Sequence, residues 1–421
     1  MKVLIVGRGG REDALVWKIA QSEWVDQIYI APGNGGTQRV GINIPIKATD
    51  IPGLLRFAQE KAIDLTVVGP EKPLAMGIVD VFKRHGLRIF GPTAKAVQIE
   101  SSKVFAKELM LQEGIPTAPF MAFSAYHPAL NYALSSDEPF VIKVDGLADG
   151  KGVYICKNEQ EKREVLEKVM VKRVHGEAGD RVVIEKRLKG IEVSIHALFD
   201  GTTTVMFPAS QDHKSLLEHG EGPNTGGMGC YSPVSRFTSD LMSNVKHLIV
   251  QTVFSALAKH EILFNACLYP GLMLVNGKPY VLEFNARFGD PEMQVYVRRL
   301  NSDLFELLDC CVAGNLEHAH AEWNNCYTAC VVLCARGYPE DPDHNAYPIY
   351  GLKEAEEIEG VVIFHAGTMF YDRVYTTAVG RILNVTAVGE TLEIALNRVY
   401  EAVDIIMFEG KNFRKDIGKV T

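Results

Sequence analysis

No run of about 18 apolar residues occurs in the 421-residue chain, so no membrane-spanning helix is expected. Positive charge is not in excess: 44 Lys and Arg stand against 52 Asp and Glu, a net charge of −8, which argues against a nucleic-acid binder. The eight cysteines include no Cys-x-x-Cys pair, the spacing of zinc sites and thioredoxin-like motifs. Cys326, Cys330 and Cys334 recur every fourth residue, but the last two lie in the apolar run Ala-Cys-Val-Val-Leu-Cys-Ala, where small buried thiols are ordinary. Reduced thiols fit a cytoplasmic address. So does an N-terminus, Met-Lys-Val-Leu-Ile-Val-Gly, that lacks the apolar length and cleavage site of a signal peptide. Two nucleotide signatures are also missing. No Gly-x-x-x-x-Gly-Lys-Ser/Thr occurs, which excludes a P-loop enzyme. The opening turn Gly7-Arg8-Gly9-Gly10-Arg11-Glu12 has Glu12 where the dinucleotide fingerprint has its third glycine. The second strand ends in Ala31-Pro32-Gly33-Asn34, not in an acid that would hold a ribose. A smaller phosphorylated substrate is expected instead.

What is present reads as a soluble, multidomain protein of α/β and α+β class. The length is too great for one core and suits two to four domains. Lys2 to Val6 is an apolar strand, the glycine turn follows, and Ala14, Leu15, Trp17, Lys18 and Ile19 continue at helical spacing. Strand, glycine turn and helix present backbone N–H groups to an anion. Asp64 to Glu71 and Arg88 to Pro92 repeat the pattern with Gly-Pro turns, predicting a parallel sheet with a ligand crevice at its carboxyl edge, where Gly69, Pro70 and Glu71 lie near Gly9. In the middle, Lys103 opens a helix over 101–113 with Ser101 or Ser102 as N-cap. The strand ending at Lys143 enters a glycine-rich loop (Asp145, Gly146, Asp149, Gly150, Lys151, Gly152) suited to bending over phosphates. A charged helix is expected over 159–174. The connector Glu185-Lys186-Arg187-Leu188, followed by Glu192, suits adenine recognition through backbone groups with an acid for the ribose. The polar, glycine-rich stretch from Pro208 through Gln211-Asp212-His213-Lys214 to Gly222-Pro-Asn224-Thr-Gly-Gly-Met-Gly229 reads as a substrate loop.

The segment Val281 to Glu292, Val-Leu-Glu-Phe-Asn-Ala-Arg-Phe-Gly-Asp-Pro-Glu, begins as a strand. Alternation puts Glu283 and Asn285 on one face and sends Leu282 and Phe284 to a core. Two oxygen ligands side by side suit a hard cation such as Mg²⁺, and Arg287 follows with the same period. A solvated edge strand is the competing reading. Further strands are expected at 328–335, 361–368 and 380–387. A final helix would bury Leu392, Ala395, Leu396, Val399, Val403 and Ile406 and end near Gly410 as C-cap. His365, in an apolar strand, is expected in the core.

These segments, taken together and in this order from residue 1 onward, resemble the phosphoribosylamine–glycine ligases (glycinamide ribonucleotide synthetases), a family of ATP-grasp carboxylate–amine ligases of de novo purine synthesis. The resemblance implies three domains: an N-terminal parallel-sheet α/β domain at 1–100 that binds phosphoribosylamine, a central ATP-grasp domain at 101–325 with a lid at about 120–190, and a small C-terminal α/β domain at 326–421 packing against the active site. By resemblance, Lys103 and Lys143 reach phosphates, the loop with Gly146, Gly150, Lys151 and Gly152 closes over them, Glu185, Lys186, Arg187 and Leu188 face adenine, Glu192 takes the ribose, and Lys214 and Asn224 complete the ATP site. Glu283 and Asn285 would hold Mg²⁺ (or Mn²⁺) with ATP as co-substrate. Gly9, Gly10, Arg11, Glu12, Pro32, Gly33, Asn34, Gly69, Pro70 and Glu71 would hold 5-phosphoribosylamine, and Asp212 and Arg287 would act near glycine as substrate and catalytic groups. A cytoplasmic monomer without nucleic-acid or membrane partners is implied, and Phe413-Arg-Lys-Asp416-Ile-Gly matches the family's closing segment, so no fused enzyme is expected downstream. Asp13 stands where the family commonly has His, Val144 and Asp149 stand where alanines are usual, and Ala378-Val379-Gly380-Arg381 replaces a Gly-Gly-Arg ending. Another ATP-grasp ligase, such as a biotin-dependent carboxylase subunit or a formate-using purine enzyme, and a non-catalytic nucleotide-binding module are the alternatives. The intact set Lys103, Lys143, Glu283, Asn285 and Arg287 argues against the last.

Overall fold

The computed structural model describes residues 1–148 and 150–419, so the Asp149 departure lies outside the described residues. The first hundred residues form a five-stranded, all-parallel sheet in the order Ile42–Asn43, Gln27–Pro32, Lys2–Gly7, Leu65–Val68, Ile89–Phe90. Val3, Leu4, Ile5 and Val6 are fully buried, as expected for an unbroken apolar run covered on both faces. The chain starts in the central strand and builds outward first to one side, then the other. This topology opens a crevice at the carboxyl ends of the central strands, where Gly7 to Gly9, Pro32 and Gly69 to Glu71 lie.

The central region contributes two antiparallel layers. One is the four-stranded sheet Phe120–Phe123, Val182–Lys186, Phe140–Val144, Val153–Cys156. The helices Tyr126–Ala133 and Glu159–Leu166 cover it with their own small core, including Ala129, Ala133, Ile142, Leu166 and Ile184. The expected helix at 159–174 is regular only to Leu166 and continues as a wider turn through Val171. The other layer holds Ile191–Ser194, Ala266–Val275, Ala197–Phe199 and Thr204–Met206, with Lys278–Asn285 paired to Ala266–Val275. Ser102 caps the helix Lys103–Gln112, accepting from the Phe105 N–H at 3.1 Å.

One expectation fails on the Lys278–Asn285 strand. Glu283 pairs with Gly271 and Val281 with Leu272, so Leu282 is the extra residue of a β-bulge. A bulge interrupts alternation and re-aims a side chain. Leu282 therefore lines the central cavity instead of the core, while Val281 and Phe284 are fully buried.

The third layer crosses the sequence divisions. Gln211–Asp212 and Gly229–Ser232 from the middle of the chain extend a sheet completed by Tyr327–Cys334, Arg381–Gly389 and Val361–His365. The closing helix spans Leu392–Ile405 and stops well before Gly410. Ile406 is already extended because Met407 must exchange backbone hydrogen bonds with Tyr350. Gly410, with φ of 74°, turns the chain beyond that bridge.

N-terminal and C-terminal parts are tied by buried polar contacts. The Asn34 side-chain amide donates to the His365 carbonyl oxygen at 2.9 Å, and the His365 N–H donates to Asp13 Oδ2 at 2.7 Å. The His365 ring is buried against Thr368, with Nδ1 and Oγ1 3.0 Å apart, as expected for a core histidine. Asp13 is almost entirely buried. Desolvation raises its pKa from 3.8 to about 6, against the opposing pull of Arg39 and the His365 N–H. Between those values the native state keeps a proton that the unfolded chain releases, so stability falls as pH rises through this window and stays reduced above it. Asp13→Asn keeps the acceptor oxygen and is expected to add up to about 3 kcal/mol above that window, the free energy separating 3.8 from about 6 on one carboxyl. Urea midpoints of parent and variant, taken below and above the window, will converge at the acid end if this is right.

Candidate functional site

A cavity of about 1180 Å³ is walled by the N-terminal crevice, both antiparallel layers and the C-terminal part. On one side of it the helix Lys103–Gln112 supplies Lys103 and the strand Phe140–Val144 supplies Lys143. Lys103 Nζ lies 3.1 Å from Glu283 Oε2; Lys214 Nζ lies 2.7 Å from Glu192 and 3.4 Å from Glu283 Oε1. Burial pushes the Glu283 carboxyl up, but Lys103, Lys214 and Lys143 outweigh it, and its pKa falls well below the usual carboxylate range. Burial likewise opposes the charge of Lys214, and Glu192 and Glu283 more than restore it. Lys143 Nζ is 2.5 Å from Glu185 Oε1 and donates to the Leu282 carbonyl oxygen at 2.8 Å. The glycine loop is anchored where it begins: Asp145 accepts from Ser102 Oγ (2.9 Å) and the Val104 N–H (3.0 Å), and pairs with Arg181. Loop and Lys103 helix are thus fastened together at a helix N-terminus, where a carboxylate is favoured.

Arg287 sits where the N-terminal and central parts meet. Nε lies 3.2 Å from Glu71 Oε2, Nη2 reaches Glu100 Oε1 at 3.0 Å and Asn285 Oδ1 at 3.2 Å, and Nη1 donates to the Phe288 carbonyl oxygen at 3.1 Å. Burial raises the Glu71 carboxyl, yet Arg287 and then Arg11 bring its pKa down to about 2; for Glu100 desolvation wins and its pKa is raised. Opposite lies a second acidic group. Glu292 Oε1 accepts from Tyr269 at 2.5 Å and Ser194 at 2.9 Å. Burial, then repulsion from Glu292, drives the Asp212 pKa well above the ordinary range, against Lys214. Arg381 bridges from the C-terminal sheet, donating to the Gly226 and Asp290 carbonyl oxygens at 2.7 and 2.8 Å and lying 3.2 Å from Asp290 Oδ2. The closing segment braces the Lys214 loop: Arg414 donates to the Ser215 carbonyl oxygen at 3.0 Å, Asp416 accepts from the His219 N–H at 2.8 Å, and the Gly418 N–H reaches His213 Nε2 at 3.2 Å.

Of the residues singled out from the sequence, Lys103, Lys143, Gly146, Gly150, Gly152, Glu185 to Leu188, Glu192, Asp212, Lys214, Asn224, Glu283, Asn285, Arg287, Gly9, Arg11, Glu12, Pro32, Pro70 and Glu71 line this one cavity. Gly10, Gly33, Asn34, Gly69 and Lys151 do not. A Cβ at Gly10 would run into Asn384 and Gln294, one at Gly33 into Asn43, and one at Gly69 into the Glu12 carboxylate. The Asn34 amide is consumed by backbone groups of Arg8, Gly36, Thr37 and His365. Lys151 is exposed. Glu12 is largely a plug for its own turn, accepting from the Gly9 N–H at 2.5 Å and from Arg11 Nε at 2.6 Å. Glu185 spends its carboxylate on lysines, which leaves only its backbone for adenine. The sequence reading missed Glu100, Asp290, Glu292 and Arg381, and also the exposed cations Arg8, Lys47 and Lys72 on the cavity wall. Arg8, Asp290, Glu292 and Arg381 lie inside segments singled out above without being assigned a role, whereas Lys47, Lys72 and Glu100 carry no local signature beyond their charge.

The donors present fit a hard divalent cation. Glu283 is anionic, with both oxygens turned to movable lysine ammoniums, and Asn285 adds an amide oxygen beside it. Among the described residues no cluster of three or more His, Cys, Asp and Glu is arranged around a metal position, so further ligands would have to come from phosphate and water. No helix among the described residues is long and apolar enough to cross a membrane.

Two antiparallel layers enclosing lysines, with a Glu–x–Asn strand as floor, define the ATP-grasp class. The biotin carboxylase domain of 2-oxoglutarate carboxylase from Hydrogenobacter thermophilus shares this fold, with a TM-score of 0.74 over 98% of this chain and 91% of that one at 16% identity. Within that class the chain belongs to the phosphoribosylglycinamide synthetase family, whose N domain matches residues 1–100, ATP-grasp (A) domain 101–293 and C domain 328–420. The phosphoribosylamine–glycine ligase of Caldanaerobacter subterraneus subsp. tengcongensis is 43% identical over 417 residues, covering 99% of both chains. The human trifunctional purine biosynthetic protein adenosine-3 is 43% identical over 99% of this chain and 42% of its own length. The crystal structure of phosphoribosylamine–glycine ligase from Thermotoga maritima superposes with a TM-score of 0.85, 34% identity, and coverage of 99% of this chain and 100% of that one.

Proposed function

We propose that this chain joins glycine to 5-phosphoribosylamine with conversion of ATP to ADP and phosphate, giving phosphoribosylglycinamide. One observation carries the reading: the lysine- and Glu283-lined nucleotide pocket runs without a break into the N-terminal loop crevice, so ATP and a phosphorylated second substrate would meet in one cavity. Arg8, Lys47 and Lys72 supply positive charge at the crevice end for the ribose phosphate. Asp212 and Glu292 form a buried acidic pair, and a buried like-charge pair favours a cation between them; the ammonium of glycine supplies it. Glycine's carboxylate oxygen attacks the γ-phosphorus and ADP leaves. The ribosylamine nitrogen then attacks the glycyl phosphate carbonyl carbon, loses a proton, and phosphate departs.

No enzyme nucleophile is required, and the cysteines suit none. Burial pushes the thiols of Cys230, Cys267 and Cys330 well above their ordinary range. Catalysis rests on positioning and on neutralising the charge that spreads over the transferring phosphoryl group. Lys103, Lys143 and Lys214 hold phosphates, Glu185 to Leu188 offer backbone groups to adenine, Glu192 takes the ribose hydroxyls, and Arg287 faces the reacting carboxylate. Glu283 and Asn285 would hold Mg²⁺ or Mn²⁺, which when bound neutralises phosphate oxygens. All of these groups come from one chain, which supports a monomer, and eight free thiols support a cytoplasmic address. ADP release should require glycine and phosphoribosylamine together. Release with bicarbonate in their place, or tight ATP binding without turnover, would overturn the assignment.

A further inference from the structure

Lys107 is a buried lysine that the mechanism above does not use. It lies one helical turn beyond Lys103, is only 2% exposed, and does not line the cavity. Its ammonium pairs with Glu185 Oε2, while Lys143 takes the other oxygen, Oε1, at 2.5 Å. Lys107 Nζ also donates to Thr117 Oγ1 at 2.6 Å, and Thr117 Oγ1 donates to the Val281 carbonyl oxygen at 2.7 Å. Lys143 reaches the next carbonyl along, Leu282, at 2.8 Å. Two lysines and one carboxylate therefore bind the strand Val182–Lys186 of one layer to the strand Lys278–Asn285 of the other.

We propose that Lys107 is a positioning residue for the nucleotide polyphosphate: it neutralises Glu185 so that Lys143 is free to turn from that carboxylate to the phosphates. The inference rests on the assignment of Lys143 as a phosphate contact. Glu185 is 2% exposed, and a buried carboxylate left without a partner is strongly destabilising. With Lys107 absent, Lys143 becomes the sole counter-ion and is retained by Glu185. With Lys107 present, the trio carries two cations for one anion, and one positive charge is available to a ligand. Desolvation, and then Lys143, lower the Lys107 pKa to about 8 against the pull of Glu185, as expected for a cation that cannot reach water.

The test compares ATP and AMP binding by titration calorimetry of the full chain, with steady-state kinetics alongside. K107M should weaken ATP roughly tenfold or more, the fold-change of one hydrogen bond to a charged group. AMP, which lacks the β- and γ-phosphates, should change less than about threefold on the same scale. The KM for ATP should rise with kcat at saturation nearly unchanged, and K107R should restore affinity. In the E185Q background the carboxylate in contact with Lys143 is gone, so adding K107M should not change ATP affinity further; this pair also serves if K107M alone fails to fold. Equal losses for ATP and AMP, no loss for ATP, or an undiminished effect of K107M in the E185Q background would each overturn the proposal. Turnover of the parent chain with glycine and phosphoribosylamine tests the underlying assignment separately.

Discussion

Arg287→Ala will lower kcat by roughly 10²- to 10³-fold, the range seen when one preorganised donor to developing negative charge is removed, while ATP affinity changes far less. The guanidinium is 17% exposed and borders the cavity. Most of its donor capacity is already committed to Glu71, Glu100, Asn285 and Phe288, and Nη1 touches only the Phe288 carbonyl oxygen. A guanidinium has five N–H groups, so Nη1 keeps one for a substrate oxygen. Glu71 and Glu100 both lie in the N-terminal part, residues 1–100, and Arg287 in the central part. Arg287 therefore ties the N-terminal crevice to the lysine-lined pocket. Truncation also strands the buried carboxylate of Glu100 and the half-buried one of Glu71, so a stability loss of about 3–5 kcal/mol accompanies it. Arg287→Lys keeps the charge but loses the fork, and should recover stability more than turnover. Assays at a temperature where the variants remain folded, checked by circular dichroism, separate the two effects. Unchanged turnover per folded molecule would remove Arg287 from the chemistry.

The path to Arg287 shows how far the sequence could be read. Four strands of the N-terminal sheet were legible because each is a short, mainly apolar run leading into Gly or Pro, a pattern set by burial; the two-residue edge strand Ile42–Asn43 has no such run and was not read. The Glu283 and Asn285 pair was legible because a strand has period two. The same periodicity misplaced Leu282, since the bulge arises from pairing with Gly271 and Leu272 on a neighbouring strand. Asn34 was named as a substrate contact by family resemblance alone, since the residues themselves read only as a turn. Its amide is instead used to hold turn and C-terminal backbone together. Glu100 carries no motif, Arg381 stands out only as the end of the departing Ala378-Val379-Gly380-Arg381 segment, and Lys107 carries no motif either. Each becomes functional only through a partner far along the chain: Arg287, Asp290 and Glu185 respectively. The joining of Gln211–Asp212 and Gly229–Ser232 to the C-terminal sheet was illegible for the same reason, because cross-strand pairing over such separations leaves no local trace.

The charge ledger of the nucleotide pocket leads to the second large effect. Lys103, Lys143 and Lys214 face Glu185, Glu192 and Glu283, so the pocket carries little net charge beyond the one cation that Lys107 adds behind Glu185. Its cations are held by carboxylates until phosphate oxygens compete for them. Glu283 alone touches two of these lysines and also stands beside the amide of Asn285. Glu283→Gln is nearly isosteric and adds one net positive charge. Metal-free ATP should therefore bind at least as tightly as to the parent. Turnover with saturating Mg²⁺ or Mn²⁺ should nevertheless fall roughly 10²- to 10³-fold, the scale for losing a charged group that organises phosphoryl transfer. The opposite signs matter: a merely structural role for Glu283 would weaken binding and turnover together. Affinity for ATP measured in chelator and in excess divalent cation, set beside kcat, resolves the two. If the variant turns over within about threefold of the parent, Glu283 is a lysine counter-ion only, and the cation must be held elsewhere in the cavity.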